Sequence, residues 1–348
     1  MTEARVHDLH SRGRPARKCP TAVLVAVASL ALLEGAASAQ TGGCPPSQPA
    51  LVTSDVQAPI AHLTIDEGFI YFFEERGLFR VDKDGGTPEP FGNVVVDVDR
   101  LGGPAAFDIA IDASRVYVSR RGTVDGASID GELYILDKAG RLLSRIGARR
   151  VLTPNDCHVP LVNGIALDPS GDLFWIEDDR LGSHLPCDDA VQSRLVRVPK
   201  GSAEPMMVNF TEFFPATFIR PDTTGIHIYY GQFEGLVDAT VHLGTEYWSA
   251  LDGPDGGPGT FSGFDGQIVR IFDDVLTELV ADERFVYGDA RRDGPGAPFN
   301  VFRLKANGHG LYDLAKGGGG SLAVDETFLY YLDATGTRLL RTCKLAGL

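Results

Sequence analysis

Ser321 to Arg341 reads SLAVDETFLYYLDATGTRLLR. Three short apolar runs, Leu322 to Val324, Phe328 to Leu332 and Leu339 to Leu340, are separated by Asp325-Glu326-Thr327 and by residues 333–337, both rich in turn formers. The pattern predicts a three-stranded antiparallel meander. Such a unit alone has two open edges and two half-buried faces, so it is stable only with similar units packed on either side.

The chain supplies them. Residues 62–81 (HLTIDEGFIYFFEERGLFRV) form a first copy, residues 108–136 a second and residues 163–198 a third. A fourth joins FIRPDTTGIHIYYG at 218–231 to GQIVRIF at 266–272. The fifth joins LTELVADERFVYGD at 276–289 to NVFRL at 300–304, and the opening stretch is the sixth. Each copy has an aspartate after its first strand: Asp66, Asp112, Asp168, Asp222, Asp282 and Asp325, at intervals of 46, 56, 54, 60 and 43 residues. A four-stranded propeller blade needs about that much chain. Aspartate suits the position because its side chain bonds the backbone two residues on and sets a tight turn.

Composition agrees with this reading. The 348 residues are 43% hydrophobic, enough for a large core, and 41 glycines and 21 prolines favour many short turns. No long stretch carries a 3.6-residue apolar period. The expected fold is an all-β, six-bladed β-propeller of four-stranded antiparallel blades. Second strands such as Phe69-Ile70-Tyr71-Phe72-Phe73 are apolar on both sides, as strands buried on two faces must be.

The N-terminus has a different character. Arg12, Arg14, Arg17 and Lys18 precede an apolar run, Thr21 to Leu33, and the A-x-A site Ala37-Ser38-Ala39 follows. This predicts a secretory signal over residues 1–39, cleaved before Gln40, and a secreted or periplasmic protein with no membrane span after cleavage. An uncleaved anchor and a lipoprotein, drawing on Thr41-Gly42-Gly43-Cys44, are the alternatives. Loss of residues 1–39 removes five of 32 basic and three of 47 acidic residues and leaves a net charge of −17. So acidic a surface disfavours nucleic acid and anionic lipid as partners.

Residues 40–58 are an N-terminal segment and 59–348 the propeller. Ala50-Leu51-Val52-Thr53 has no blade of its own and is expected to serve as the outer strand of the last one, closing the ring. Four cysteines outlast the signal, an even number for an oxidising compartment. Their positions favour Cys44 with Cys343, beside the closing strand, and Cys157 with Cys187, flanking the first strands of the third copy.

Val/Ile-Asp, a short turn, a Tyr-containing aromatic strand and Leu-x-Arg-Val-x-Lys-x-Gly together resemble the repeats of TolB-like and NHL-type six-bladed propellers. The resemblance implies the fold and leaves function open, because lactonases, lyases, dehydrogenases and binding proteins share it.

Two candidate sites follow. The first is a face of long loops between second and third strands in copies two to five, engaging a protein, glycan or small ligand. Its candidate contacts are Arg120 and Arg121, Asp178 and Asp179, and His242, Tyr247 and Trp248 in the longest stretch, residues 232–265. The second is the channel, where His62, Asp108, Asn163 and Glu278 stand at or near the fourth residue before a turn aspartate. Hard oxygen donors with one imidazole suit calcium or a similar divalent cation. Asn163-Gly164 followed by Asp168-Pro169-Ser170-Gly171 weakly resembles the run of gluconolactonase and regucalcin-like propellers in which the asparagine is a metal ligand. That resemblance implies, as the alternative to a binding protein, a metal-dependent lactonase, esterase-like hydrolase or lyase.

Overall fold

The structure is a computed structural model that describes residues 49–57, 61–74, 77–92, 107–120, 131–147, 158–181, 192–202, 204–211, 216–221, 226–230, 236–242, 245–251, 257–264, 267–272, 276, 278–282, 284–290, 299–305 and 312–345. These residues form strands and turns, with no helix among them.

The strands follow the meander pattern. After β1 (Ala50–Thr53) come β2 (Ala61–Ile65), β3 (Phe69–Glu74), β4 (Gly77–Asp82) and β5 (Glu89–Pro90), which form one antiparallel sheet. A second sheet holds β6 (Phe107–Ile111), β7 (Arg115–Arg120), β8 (Glu132–Asp137) and β9 (Leu142–Gly147). A third holds β10 (His158–Leu167), β11 (Leu173–Leu181), β12 (Gln192–Val198) and β13 (Met206–Thr211). Then β14 (Ala216–Pro221) and β15 (Ile226–Tyr230) pair as a two-stranded sheet.

A four-stranded sheet follows from β16 (Leu236–His242), β17 (Thr245–Ala250), β18 (Gly259–Phe264) and β19 (Gln267–Phe272). Another follows from β20 (Leu279–Ala281), β21 (Phe285–Ala290), β22 (Asn300–Lys305) and β23 (Tyr312–Lys316). The last sheet has β24 (Gly318–Val324), β25 (Phe328–Asp333) and β26 (Leu339–Cys343), with β1 as its fourth strand: Ala50 lies opposite Arg341 and Leu51 opposite Leu340.

This corrects the expected fourth copy. Ile226–Tyr230 and Gln267–Phe272 are not neighbours in one blade, because β19 pairs with β18 and residues 232–265 contribute β16, β17 and β18 in place of a long loop. Tyr247, Trp248 and Phe261 are buried, and the backbone N–H and C=O groups around them find partners most directly by pairing with each other.

Consecutive sheets pack through their faces. In β3 successive side chains point to opposite sides. Ile70 and Phe72 join a core with Tyr330, Leu332 and Leu339 of the last sheet, while Tyr71 and Phe73 join Ile109, Val116 and Val118 of the second. β25 does the same, with Tyr330 and Leu332 on one side and Leu329 and Tyr331 on the other. First strands of successive sheets touch in order: β2 with β6, β6 with β10, β10 with β14, β14 with β16, β16 with β20, β20 with β24, and β24 with β2. Small meanders packed face to face around their first strands are an arrangement of the β-propeller type.

The turn aspartates do what their spacing predicts. Asp66 Oδ1 accepts from the amides of Gly68 and Phe69 at 2.9 and 2.8 Å, and Asp325 Oδ1 from Thr327 and Phe328 at 2.8 and 2.7 Å. Asp112 and Asp282 repeat the geometry; Asp222 lies outside the described residues. The free oxygen of each is then used by a tyrosine five residues on: Tyr71, Tyr117, Tyr287 and Tyr330 each donate to it at 2.9 Å. The stretch Asp82–Gly86 is a hairpin turn, with Gly85 N–H donating to Asp82 O at 3.0 Å.

Candidate functional site

The opposite ends of the first strands carry the channel candidates. His62 lies at an irregularity in the β2–β3 pairing, between Ala61 and Thr64, and adopts φ +55°; it is the one described non-glycine residue with positive φ. Left-handed backbone is unfavourable for any residue with a Cβ, and where it persists the surroundings hold it there. The side chain remains 42% exposed, and its Nδ1 stands 3.7 Å from Asp108 Oδ1 on β6.

Asp108 is fixed from two sides. Its Oδ1 accepts the Ile109 amide at 2.9 Å and its Oδ2 the Ile165 amide of β10 at 3.1 Å, so this carboxylate ties the second sheet to the third. Ile165 can present its amide because β10 bulges between Asn163 and Ile165, with Gly164 at φ +67°. Glycine takes that conformation at little cost.

A second carboxylate repeats the device. Asp289 on β21 is fully buried; its Oδ1 accepts the Glu278 amide at 3.1 Å and its Oδ2 the Gly320 amide of β24 at 2.7 Å. Sequence reasoning named Glu278 and missed Asp289. The signal was present: Asp289 follows turn Asp282 by seven residues, near the strand end where Glu74 follows Asp66 by eight.

The structure brings His62 and Asp108 together. Asn163 lies on β10, with its side chain outside the described residues, and Glu278 is half-buried just before β20. Calcium takes six to eight oxygens. The close pair offers one carboxylate, both of whose oxygens already accept amides, and one imidazole. Among the described residues no three of His, Cys, Asp and Glu group closely enough to hold an ion.

The loop candidates are placed differently from expectation. Arg120 ends β7 and pairs with Glu132 Oε2 at 2.7 Å across the strands. Asp178 and Asp179 belong to β11, opposite Ser193 and Gln192. His242 ends β16, opposite Thr245. Tyr247 and Trp248 are core residues of β17, 0% and 2% exposed, with Trp248 stacked on Phe261 at 5.9 Å. Their reading as surface contacts is therefore corrected. Arg121 lies outside the described residues, as do Cys44, Cys157 and Cys187; Cys343 ends β26 opposite Phe328. Two clefts of about 370 and 570 Å³ lie beside Pro90 and Gly92, and none of these candidates lines them. No helix among the described residues is long and apolar enough to cross a membrane.

No protein-family model matches the chain, and no curated protein matches it. Among solved structures it is similar to a luciferin-regenerating enzyme, at 13% identity and TM-score 0.47, covering 86% of this chain and 96% of that one. It is similar to a protein described as TolB from Agrobacterium tumefaciens, at 12% identity and TM-score 0.41, covering 82% and 90%. The AfRom2 CNH domain aligns at 8% identity and TM-score 0.46, covering 86% and 99%. At these identities and scores the likenesses say nothing of activity.

Proposed function

We propose that this chain is a secreted β-propeller that binds a small polar ligand at the mouth where β2 and β6 begin, with His62 and Asp108 as its polar contacts. The observation that carries the reading is the strained, exposed His62 held beside a carboxylate that is itself locked to the backbone. Nδ1 needs to approach Asp108 by roughly half an ångström to make a good hydrogen bond, which orients the ring and leaves Nε2 facing the ligand. The binding face is that of the connections between second and third strands.

The ring itself is part of the proposal: seven blades, the fourth reduced to β14–β15, closed by β1 as the outer strand of the last. The circuit of touching first strands and the pairing of β1 with β26 support it. A disulfide from Cys44 to Cys343 fits the same closure, since Ala50 opposite Arg341 brings the chain before β1 alongside the end of β26. Cys157 with Cys187 is the companion pairing. Cleavage before Gln40 and export complete the reading, and sequencing the N-terminus of the exported protein checks that part.

The test of function is a thermal-shift panel of monosaccharides, sugar acids and lactones on wild type, H62A and D108N. The reading expects a ligand that stabilises wild type and loses its effect in both variants. A ligand whose effect survives H62A overturns the site. Turnover of a lactone or aryl ester that vanishes in H62A moves the protein from binder to hydrolase at the same place.

A further inference from the structure

Three turn aspartates take an ammonium from a neighbouring sheet. Lys138, in the β8–β9 turn, donates to Asp66 Oδ2 at 2.8 Å, Lys83, in the β4–β5 turn, to Asp325 Oδ2 at 2.9 Å, and Lys344, just after β26, to Asp282 Oδ2 at 2.6 Å. In each case the lysine follows the third strand of the sheet packed against the aspartate. The tyrosine hydroxyl shares the same oxygen.

Asp112 keeps its tyrosine but takes no lysine, and Asp168 has neither partner. Asp168 Oδ1 accepts the amides of Ser170 and Asp172, each at 2.9 Å, and the Ser170 hydroxyl at 2.6 Å, so the turn is formed. At the tyrosine's place in the register, opposite Ala166, stands Phe174, which has no hydroxyl to offer. Asp168 is 4% exposed, and its Oδ2 is buried without a hydrogen-bond partner. A buried acceptor left unmade is expensive, more so on a carboxylate.

The missing ammonium has a structural cause. The next sheet, β14–β15, touches β10 and β11 but has no third strand among the described residues, so no turn after a third strand delivers a lysine there. The segment that follows β15 offers no lysine for the place either. The chain's lysines are 18, 83, 138, 200, 305, 316 and 344, and none falls between 200 and 305. Lys200 lies against Gly171 in the Asp168 turn, yet makes no ion pair with Asp168.

We propose that β15 accepts an added strand from a partner polypeptide, and that a lysine in the turn after this strand places its ammonium on Asp168 Oδ2. The added strand pairs with the outer edge of β15, as third strands pair with second strands in the other sheets. Main-chain hydrogen bonds give affinity in such strand addition, and the lysine gives register and selectivity. The site stands apart from the His62–Asp108 mouth, at the other ends of the first strands.

The chain's own sequence provides the probe: a fluorescent peptide GLFRVDKDGG, identical to residues 77–86, titrated into the full mature protein. Saturable binding is expected, weakened about tenfold or more both by D168N and by norleucine in place of the peptide lysine. D168N keeps the Oδ1 acceptor of the turn, and the norleucine peptide tests the same contact on unmodified protein. K200M is expected to leave binding intact. Absence of binding at millimolar peptide overturns the proposal, as does equal affinity for the norleucine peptide. Competition by n-butylamine at the peptide's own affinity overturns strand addition, because it leaves only an amine pocket.

Discussion

The ammonium of Lys83 rests 2.9 Å from Asp325 Oδ2, although the two residues lie 242 positions apart. Lys83 belongs to the turn after β4 and Asp325 to the turn after β24, so the contact fastens the first complete sheet to the last. Both side chains are mostly buried, at 14% and 19% exposure. Removing one partner leaves the other charge poorly solvated. K83M is expected to lower the unfolding free energy by about 2 kcal/mol, and the double variant K83M/D325N by less than the sum of the singles. Urea denaturation of the cycle measures both.

Acid unfolds the protein through the same turns. Burial pushes the carboxyls of Asp66, Asp282 and Asp325 up, but the lysine ammonium, the two turn amides and the tyrosine hydroxyl outweigh it and hold each below its ordinary value. A lowered folded value means stability that is fully present above the unfolded value of about 4 and is lost as pH falls through the folded one. The melting temperature should therefore slope down below about pH 4, and the triple Asp→Asn variant at these positions should show a shallower acid slope. An unchanged slope in that variant sinks the assignment.

The tyrosines set the alkaline limit. Burial, and then the bond to Asp112, pushes Tyr117 up to about 12, and Tyr71, Tyr287 and Tyr330 are raised further for the same two reasons. A raised folded value contributes stability below the unfolded value of about 10, lost as pH climbs beyond it. Ultraviolet titration should find these phenols protonated at pH 10.5 and ionising together with unfolding.

His62 separates strain from side-chain role. Its positive φ penalises alanine as much as histidine, and glycine adopts it freely. H62G should be about 1 kcal/mol more stable than H62A, while both lose the ligand effect. Equal stabilities of the two variants would refute the strain.

Gly85 guards the seam between β1 and the first sheet. It has φ +107°, and a Cβ there would stand 2.8 Å from the carbonyl oxygen of Val52, the acceptor for the Gly86 amide. G85A should cost about 2 kcal/mol or more and raise hydrogen exchange at β1 ahead of the other strands. Uniform exchange across the molecule contradicts it.

The meanders were legible because one rule repeats: an aspartate that closes a turn, then a tyrosine five residues on that returns to its second oxygen. Where the aspartate is missing the reading failed. Residues 236–272 have no such aspartate, and glycines and prolines crowd the stretches between LVDATVH, TEYWSA and GTFSGF, so three paired strands looked like one loop. The adjacent Tyr247 and Trp248 carried the needed signal, since neighbouring bulky residues in a strand fill both faces, as Tyr71 and Phe72 do. The His62–Asp108 encounter was within reach because both precede turn aspartates by four residues. Asp289 was missed because its partners are backbone amides, and its one signal in the sequence is its place near the strand end, seven residues after Asp282.

The pairing of β1 with β26 also governs the order in which the molecule can be made. A ribosome releases β1 early and β26 last, so the first strand waits, with its backbone groups unmatched, through the synthesis of every sheet between them. Until the tail arrives, Leu322–Val324 and Phe328–Leu332 are unmade and one face of the first sheet, with Ile70 and Phe72, is bare to water. On the secreted reading proposed above, an export pathway that carries the chain across unfolded would postpone that exposure until the two ends meet after translocation.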